Sequence, residues 1–131
     1  DNDTLKCWGS NSAGQLGQGD TLVRGNAANQ MGDSLPVVNV GTGRTVKKVS
    51  AGSNSTCAIL DNDTLKCWGY NFYGQLGRDT TTNVGNTAGS MGDTLAVVNL
   101  GAGRTAKDVS QGLDHTCVIL DNNTLKCFSS F

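Results

Sequence analysis

The sequence predicts an all-β protein made of tandem four-stranded antiparallel blades, arranged in an array like that of a β-propeller. Three observations predict it. The chain repeats itself every 60 residues, each unit divides into apolar runs of strand length, and no window carries the 3.6-residue period of a helix. A fixed period of this size is typical of repeat architectures, in which neighbouring units bury a shared core.

The period is visible at the start of each unit. DNDTLKCWG occupies positions 1–9 and again 61–69, and DNNTLKCFS occupies positions 121–129. Roughly three-fifths of the positions of the first two units match. We therefore divide the chain into a unit at 1–60, whose blade is incomplete on its N-terminal side, a unit at 61–120 and a partial unit at 121–131.

Four runs in each unit predict strands. They are β-branched or apolar stretches bounded by Gly, Asn and Asp. In their first occurrence they are Leu35 to Val40, Val46 to Ala51, Thr56 to Leu60 and Thr64 to Trp68. The only proline, Pro36, stands near a strand start, where a missing N–H is tolerated.

Two connecting segments, Gln18 to Leu35 and Arg78 to Leu95, are longer than tight turns. Both keep the same G-N and M-G-D landmarks, which favours structured insertions over slack linkers. We expect these insertions to form a contact surface.

The last two strands of the unit predict a hairpin. A three-residue loop, Asp61 to Asp63, leaves Cys57 opposite Cys67. The third loop position favours a left-handed backbone, which Asp63 and its counterpart Asn123 adopt at less cost than most non-glycine residues.

Both faces of this hairpin are apolar. Period-2 alternation divides its side chains into one set with Cys57, Ile59, Leu65 and Cys67 and another with Ala58, Leu60 and Trp68. A sheet with two apolar faces needs a neighbour on each side, as stacked blades provide.

The order of motifs within the unit is specific. It runs V-S-x-G-x-x-x-T-C at 49–57 and 109–117, C-W-G at 67–69 and N-x-x-G-Q-L-G at 71–77. In this order the unit resembles the repeat of the regulator-of-chromosome-condensation family, in a secreted, disulfide-containing form. The resemblance implies four-stranded blades of a propeller that closes with seven. Seven units of this period need about 420 residues, so the chain of 131 residues leaves the number of blades open.

Five cysteines form two pairs separated by ten residues and one leftover. The hairpin register predicts disulfides Cys57–Cys67 and Cys117–Cys127. The partner expected for Cys7 would precede Asp1, so Cys7 is unpaired in this chain. A zinc site is the weaker alternative, because zinc ligand pairs lie about two to four residues apart. Free thiols in a reducing compartment are the other alternative, and the repetition of the pair argues against them.

Four N-x-S/T sequons stand at Asn2, Asn54, Asn62 and Asn122. Three of them share the hairpin-loop position of successive units, which predicts a glycan at an exposed tip of each blade. Asn54 lies close to the disulfide strand, where space is smaller. Sequons and disulfides together predict a secreted, extracellular protein.

Several function classes are disfavoured. Ten Lys and Arg against 11 Asp and Glu give a net charge of −1, so the chain has no excess of positive charge with which to bind nucleic acid. No apolar stretch is long enough to predict a membrane span. The only histidine, His115, is interpreted as a locally hydrogen-bonded blade-turn residue, since no nucleophile or carboxylate stands at triad spacing. We therefore predict no catalytic residues and no enzyme.

Cofactor and metal sites are also not predicted. The glycine-rich segments at 41–45 and 101–105 precede no helix N-terminus that could bind phosphate, so turns are favoured. The acidic hairpin loops, with Asp33 and Asp93, match no complete calcium loop.

The aromatic residues suggest one binding loop. Trp8, Trp68, Tyr70, Phe72 and Tyr73 are candidates for a sugar-stacking or partner-binding platform, whereas Trp68, at a repeated strand position, is interpreted as blade packing. Tyr70, Phe72 and Tyr73 lie in a loop where the first unit has Ser, Ser and Ala, so we predict that these three contact a partner if any aromatic does.

The functional prediction is a structural or interaction repeat of an extracellular glycosylated assembly, such as a surface scaffold or fibre. Its loops recur between units, whereas a propeller that grips one ligand lets its loops diverge. The expected partners are other copies or further repeats of the same protein, through the faces beside residues 1–9 and 116–131, and N-linked glycans. The alternative is a closed propeller that acts as a lectin-like or protein-inhibitor-like binding module.

Overall fold

A computed structural model describes residues 1–129, and in them the chain is all-β. The strands are β1 (Val46–Ala51), β2 (Ser55–Leu60), β3 (Leu65–Gly69), β4 (Ala106–Gln111), β5 (Thr116–Leu120) and β6 (Leu125–Phe128), and two 3₁₀ turns span Gly32–Ser34 and Gly92–Thr94. The strands form two three-stranded antiparallel sheets, in the orders β1-β2-β3 and β4-β5-β6. A structural repeat therefore straddles two sequence units. We call residues 1–34 the first repeat, residues 35–94, which contain β1 to β3, the second or middle repeat, and residues 95–129, which contain β4 to β6, the third repeat. The predicted fold class is confirmed. Ser130 and Phe131 lie outside the described residues.

The number of strands in each blade needs a correction. Four were predicted, but Leu35 to Val40 is extended chain and not a strand. It lies beside the preceding repeat, where the Val38 N–H donates to the Leu5 carbonyl at 2.7 Å. Its remaining groups do not continue a ladder, because Pro36 has no N–H and the Val40 carbonyl accepts from a lysine side chain. The equivalent segment of the next repeat bonds β3 in the same way, with Val98 N–H to the Leu65 carbonyl at 2.7 Å.

The predicted hairpin is confirmed in its register and its turn. Ile59 pairs with Leu65 and Cys57 with Cys67. Asp63 has a φ of 65°, and its counterpart Asn123 has a φ of 66°. The short polar side chains of Asp and Asn tolerate this left-handed conformation, which closes the three-residue loop.

The two faces of the β1-β2-β3 sheet pack into two separate cores, as the alternation of its side chains predicts. One core joins the disulfide face to the following repeat and contains Cys57, Ile59, Leu65, Cys67, Leu76, Val98, Leu100, Ala106, Val118 and Leu120. The other joins the opposite face to the preceding repeat and contains Val38, Val40, Ala58, Leu60, Trp68 and Leu95. Hydrophobic burial therefore holds repeats to one another as well as strands within a repeat.

The two insertions are structured, as predicted. Each is fixed to the glycine of a C-W-G motif by an isolated antiparallel bridge, Gly9 to Arg24 in the first and Gly69 to Val84 in the second. The insertions also touch each other, since the Gly19 N–H donates to the Gly85 carbonyl at 2.9 Å. This contact surface links neighbouring repeats within the chain.

Candidate functional site

The interface between repeats is formed by the Q-L-G loop of one repeat and the hairpin of the next. The Gln15 carbonyl accepts hydrogen bonds from Thr56 Oγ1 at 2.7 Å and from the indole Nε1 of Trp68 at 3.1 Å. Sixty residues later, the Gln75 carbonyl accepts from Thr116 Oγ1 at 2.7 Å. The same docking contact therefore recurs at the repeat period. Phe128 occupies the position equivalent to Trp68 in the next repeat, and its phenyl ring has no N–H that could donate to the Gln75 carbonyl.

A buried asparagine fixes the shape of each docking loop. The Asn71 side chain accepts from the Leu76 N–H at 3.0 Å and donates to the carbonyls of Thr80 and Thr82 at 2.9 and 3.0 Å. Asn11 makes the equivalent bonds in the first repeat. The role of this residue was missed from the sequence, although a repeated Asn four residues before Gln-Leu-Gly was its visible signal. Because the loop is held from inside, its carbonyl is presented in one orientation to the next repeat.

A buried lysine joins three consecutive segments. Lys66 Nζ donates to the Val40 carbonyl, in the extended segment before β1, and to the Gly92 carbonyl, in the insertion after β3, both at 2.9 Å. Burial lowers the pKa of this lysine. Lys6 and Lys126 each make one of the two bonds, to Gly32 and Leu100. The lysine of the L-K-C motif therefore bridges neighbouring turns, a role that the sequence did not reveal.

The Met-Gly-Asp turn adds a polar contact across the same junction. The backbone N–H and the hydroxyl of Thr42 donate to the two carboxylate oxygens of Asp93, at 2.8 and 2.6 Å. These hydrogen bonds hold the pKa of the Asp93 carboxyl below its usual range. The sequence suggests Asp93 only as part of an incomplete calcium loop, whereas the structure shows that it ties the second insertion to the turn before β1.

The predicted cysteine pairs are bonded. Cys57 and Cys67 have Cα atoms 4.1 Å apart, and Cys117 and Cys127 have theirs 4.0 Å apart, which is the close spacing of a non-hydrogen-bonded antiparallel pair. Cys7 is free and half-buried. Burial raises the pKa of its thiol to about 11, so the thiol is protonated and weakly nucleophilic near neutral pH.

The three hairpin-loop sequons have one geometry, and the fourth differs. Asn2, Asn62 and Asn122 are exposed, and each side-chain oxygen accepts from the hydroxyl of its own sequon threonine at 2.6 to 2.7 Å. At Asn54 the sequon hydroxyl belongs to buried Thr56, whose Oγ1 donates to the Gln15 carbonyl at 2.7 Å. The structure therefore separates three accessible sequons from a crowded one.

We expect secreted material to carry N-glycans at Asn62 and Asn122, with Asn2 also modified and Asn54 modified least. Peptide mapping after enzymatic deglycosylation in ¹⁸O-labelled water measures the occupancy of each site. Thr64→Ala should remove the glycan from Asn62 alone, and Thr64→Ser, which keeps a hydroxyl, is the matched control. Four unmodified asparagines in natively secreted protein would contradict the secretory assignment.

The structure brings the three predicted binding-loop aromatics together. The rings of Tyr70 and Phe72 stack with centroids 6.3 Å apart and an interplanar angle of 16°. Tyr73 meets Phe72 edge-on at 5.0 Å and 87°. We call Tyr70, Phe72 and Tyr73 the aromatic cluster. Trp68 is buried in a core between repeats, as predicted, whereas Trp8 is exposed.

The residues considered for metal binding or catalysis form no site in the described part of the chain. Within residues 1–129, no three His, Cys, Asp or Glu side chains are grouped in a way that could hold a metal ion. His115 is exposed, and its backbone carbonyl accepts from the Gly112 N–H at 2.9 Å. No helix in the described part of the chain has the length and apolar character needed to cross a bilayer.

Solved structures share this architecture. The crystal structure of human WBSCR16 matches with a TM-score of 0.73 at 16% identity, over 98% of this chain and 29% of that one. Prp20p from Saccharomyces cerevisiae matches with a TM-score of 0.59 at 18% identity, over 98% of this chain and 29% of that one. At these identities the likeness shows the fold.

Sequence relatives are longer proteins. The X-linked retinitis pigmentosa GTPase regulator of Canis lupus familiaris is 38% identical over 77 residues, which are 58% of this chain and 7% of that protein. The ultraviolet-B receptor UVR8 of Arabidopsis thaliana is 35% identical over 81 residues, which are 60% of this chain and 16% of that protein. The chain thus spans a small part of the relatives that it matches.

Two family models describe the repeat itself. Both carry the description "Regulator of chromosome condensation (RCC1) repeat", and they match residues 5–59 and 46–75. Together the matches run from residue 5 to residue 75, which is more than half of the chain. They include the docking loop of the first repeat and the hairpin that it contacts. The chain therefore belongs to the regulator of chromosome condensation repeat family.

Proposed function

We propose that these repeats are part of a secreted, glycosylated structural or interaction array, in which successive propeller repeats stack through one recurring interface. The observation that carries the proposal is the docking contact of Gln15 with Thr56, which Gln75 and Thr116 repeat one period later. Each repeat thereby offers its successor the same surface. The propeller fold of this family suits a protein-interaction module. The proposal includes no catalytic activity and no cofactor.

Two features support an extracellular location. The hairpins carry disulfides, which persist in oxidising compartments and are rare in the cytosol. The sequon loops are exposed at one place in each repeat, where glycans would cover the blade tips without entering a core. N-linked glycans are therefore included in the proposed assembly.

An apolar face of the third repeat supports further stacking. Ile119 and Leu125 are 40% and 63% exposed. Their counterparts in the middle repeat, Ile59 and Leu65, are 2% and 0% exposed, because the next repeat covers them. We propose that another repeat, from the same protein or from a second copy, covers the face of Ile119 and Leu125.

The solution mass of the chain tests this proposal. We expect analytical ultracentrifugation to find species heavier than the 13.6 kDa monomer, because an uncovered apolar face favours association. Leu125→Asp should restore the monomer without unfolding it, since Leu125 is exposed. Leu113→Asp changes an equally exposed leucine of the β4–β5 connection and serves as the control. A monodisperse 13.6 kDa wild-type chain would contradict the assembly.

A closed propeller that acts as a binding module, lectin-like or protein-inhibitor-like, is the alternative. It is favoured by the fold that the chain shares with WBSCR16 and Prp20p, and by the aromatic cluster, which only the second repeat possesses among residues 1–129. Electron microscopy of the complete natural protein separates the two. Discrete rings indicate the binding module, and filaments or sheets indicate the structural array.

A further inference from the structure

A shallow groove of about 460 Å³ lies beside the aromatic cluster. Its lining consists of Tyr70 and Phe72 together with residues 81–83 and 86–87 of the second insertion. Phe72 is 61% exposed, so one large apolar ring is presented to solvent at the edge of the groove. An exposed aromatic ring beside polar groups is able to stack on a ligand that carries both apolar and polar faces.

The opposite wall is polar and uncharged. Its side chains are Thr81, Thr82, Asn83, Asn86 and Thr87. Among residues 1–129, no hydrogen bond joins the three threonine hydroxyls or the Asn86 amide to another protein group. These donors and acceptors are therefore available to a ligand that carries neutral hydroxyl or amide groups.

The first repeat provides an internal comparison on the same backbone. Five of the seven lining positions, 70, 72, 82, 83 and 87, differ from their counterparts, which are Ser10, Ser12, Leu22, Val23 and Ala27. The differences at these five positions follow one pattern in each wall. Aromatic rings replace small polar side chains in one wall, and hydroxyl and amide groups replace aliphatic side chains in the other. Only the second repeat therefore combines both walls.

We propose that this groove binds a neutral oligosaccharide. The C–H face of a pyranose packs on an aromatic ring, and its hydroxyls match threonine and asparagine side chains. Sulfated or sialylated glycans need cationic partners, and the lining contains no Lys or Arg. The site goes beyond the array proposed above, because it does not depend on whether the repeats associate or close into a ring.

The test is a ¹⁵N–¹H correlation spectrum of the whole chain, titrated separately with chitotriose, mannotriose and cellotriose. A shallow groove suggests dissociation constants on the order of 1 mM, so each sugar is added to about 10 mM. We expect at least one sugar to give saturable shifts confined to residues 70–73 and 80–87. The equivalent residues 10–13 and 20–27 should not shift, which provides a control within the same molecule.

Two variants decide the role of the groove. Phe72→Ser introduces the residue that the first repeat already has, so folding is retained, and we expect binding to weaken about tenfold. Ser12→Ala is the matched control and should leave the affinity unchanged. The inference is overturned if none of the three sugars binds, or if Phe72→Ser binds as well as wild type. Phe72→Ser leaves the solution mass unchanged, so failure here and failure of the array are distinguishable.

Discussion

Trp68→Ala is expected to lower the free energy of unfolding by about 3–5 kcal/mol, the cost of deleting a large buried aromatic side chain. Trp68 is 0% exposed and fills the core that joins the middle repeat to the preceding one. Its indole also donates to the Gln15 carbonyl across that junction. The substitution therefore removes apolar contacts and an inter-repeat hydrogen bond together.

The chain contains its own control for this substitution. Trp8 occupies the same place in the preceding L-K-C-W motif but is 60% exposed, so Trp8→Ala should change stability by no more than about 0.5 kcal/mol. Trp68→Phe should cost about 1–2 kcal/mol, because a phenyl ring keeps most of the packing and loses the N–H donor. Urea unfolding followed by circular dichroism measures all three variants. Equal losses for Trp8→Ala and Trp68→Ala would contradict the placement of the inter-repeat core.

The sequence predicted the hairpin well because the hairpin is determined locally. Loop length sets the register, an Asp or Asn accepts the left-handed turn position, and alternation assigns the faces. These are properties of about a dozen adjacent residues, and the structure confirms them in the pairing of Cys57 with Cys67. The two cores followed from the same alternation, since a sheet with two apolar faces requires two neighbours.

The prediction of a fourth strand was wrong because the hydrogen-bond partners of that segment are distant in the sequence. Leu35 to Val40 has the composition of a strand, yet its backbone partners include Leu5, Lys66 and Gly92, which lie 25 or more residues away. Sequence patterns give the tendency to be extended and do not give the identity of the hydrogen-bond partner. The same limit hid Lys66, whose position next to Cys67 in β3 resembles that of an exposed strand residue.

Half of the candidate sugar site was visible from the sequence. Aligning the two repeats shows that Tyr70, Phe72 and Tyr73 replace small residues, which singled out the loop. The second wall lies 8 to 17 residues further along an irregular insertion, and no period relates residues 81–87 to the aromatic loop. The bridge between Gly69 and Val84 and the hydrogen bonds of Asn71 to the carbonyls of Thr80 and Thr82 bring these two segments together.

The two disulfides are expected to contribute unequally to stability. Each joins residues ten apart, so loop entropy assigns both about 2.5–3 kcal/mol. Cys57 and Cys67 are also buried in the core shared with the next repeat, whereas Cys127 is exposed. Replacing the buried pair by alanine leaves a cavity as well as an open loop. We expect Cys57→Ala with Cys67→Ala to cost about 4–5 kcal/mol, and Cys117→Ala with Cys127→Ala about 2–3 kcal/mol.

Chemical denaturation of the two double variants measures this difference directly, and reduction kinetics provide a second readout. Thiol–disulfide exchange requires access to a sulfur atom, so dithiothreitol should open Cys117–Cys127 in the folded chain well before Cys57–Cys67. Denaturation in urea should abolish the difference in rate, because both loops are equally exposed in the unfolded chain. Equal stability losses and equal rates in the native state would show that the third repeat does not cover the hairpin of the middle repeat. Losses below about 1 kcal/mol for both pairs would instead show that the hairpins are held by packing alone.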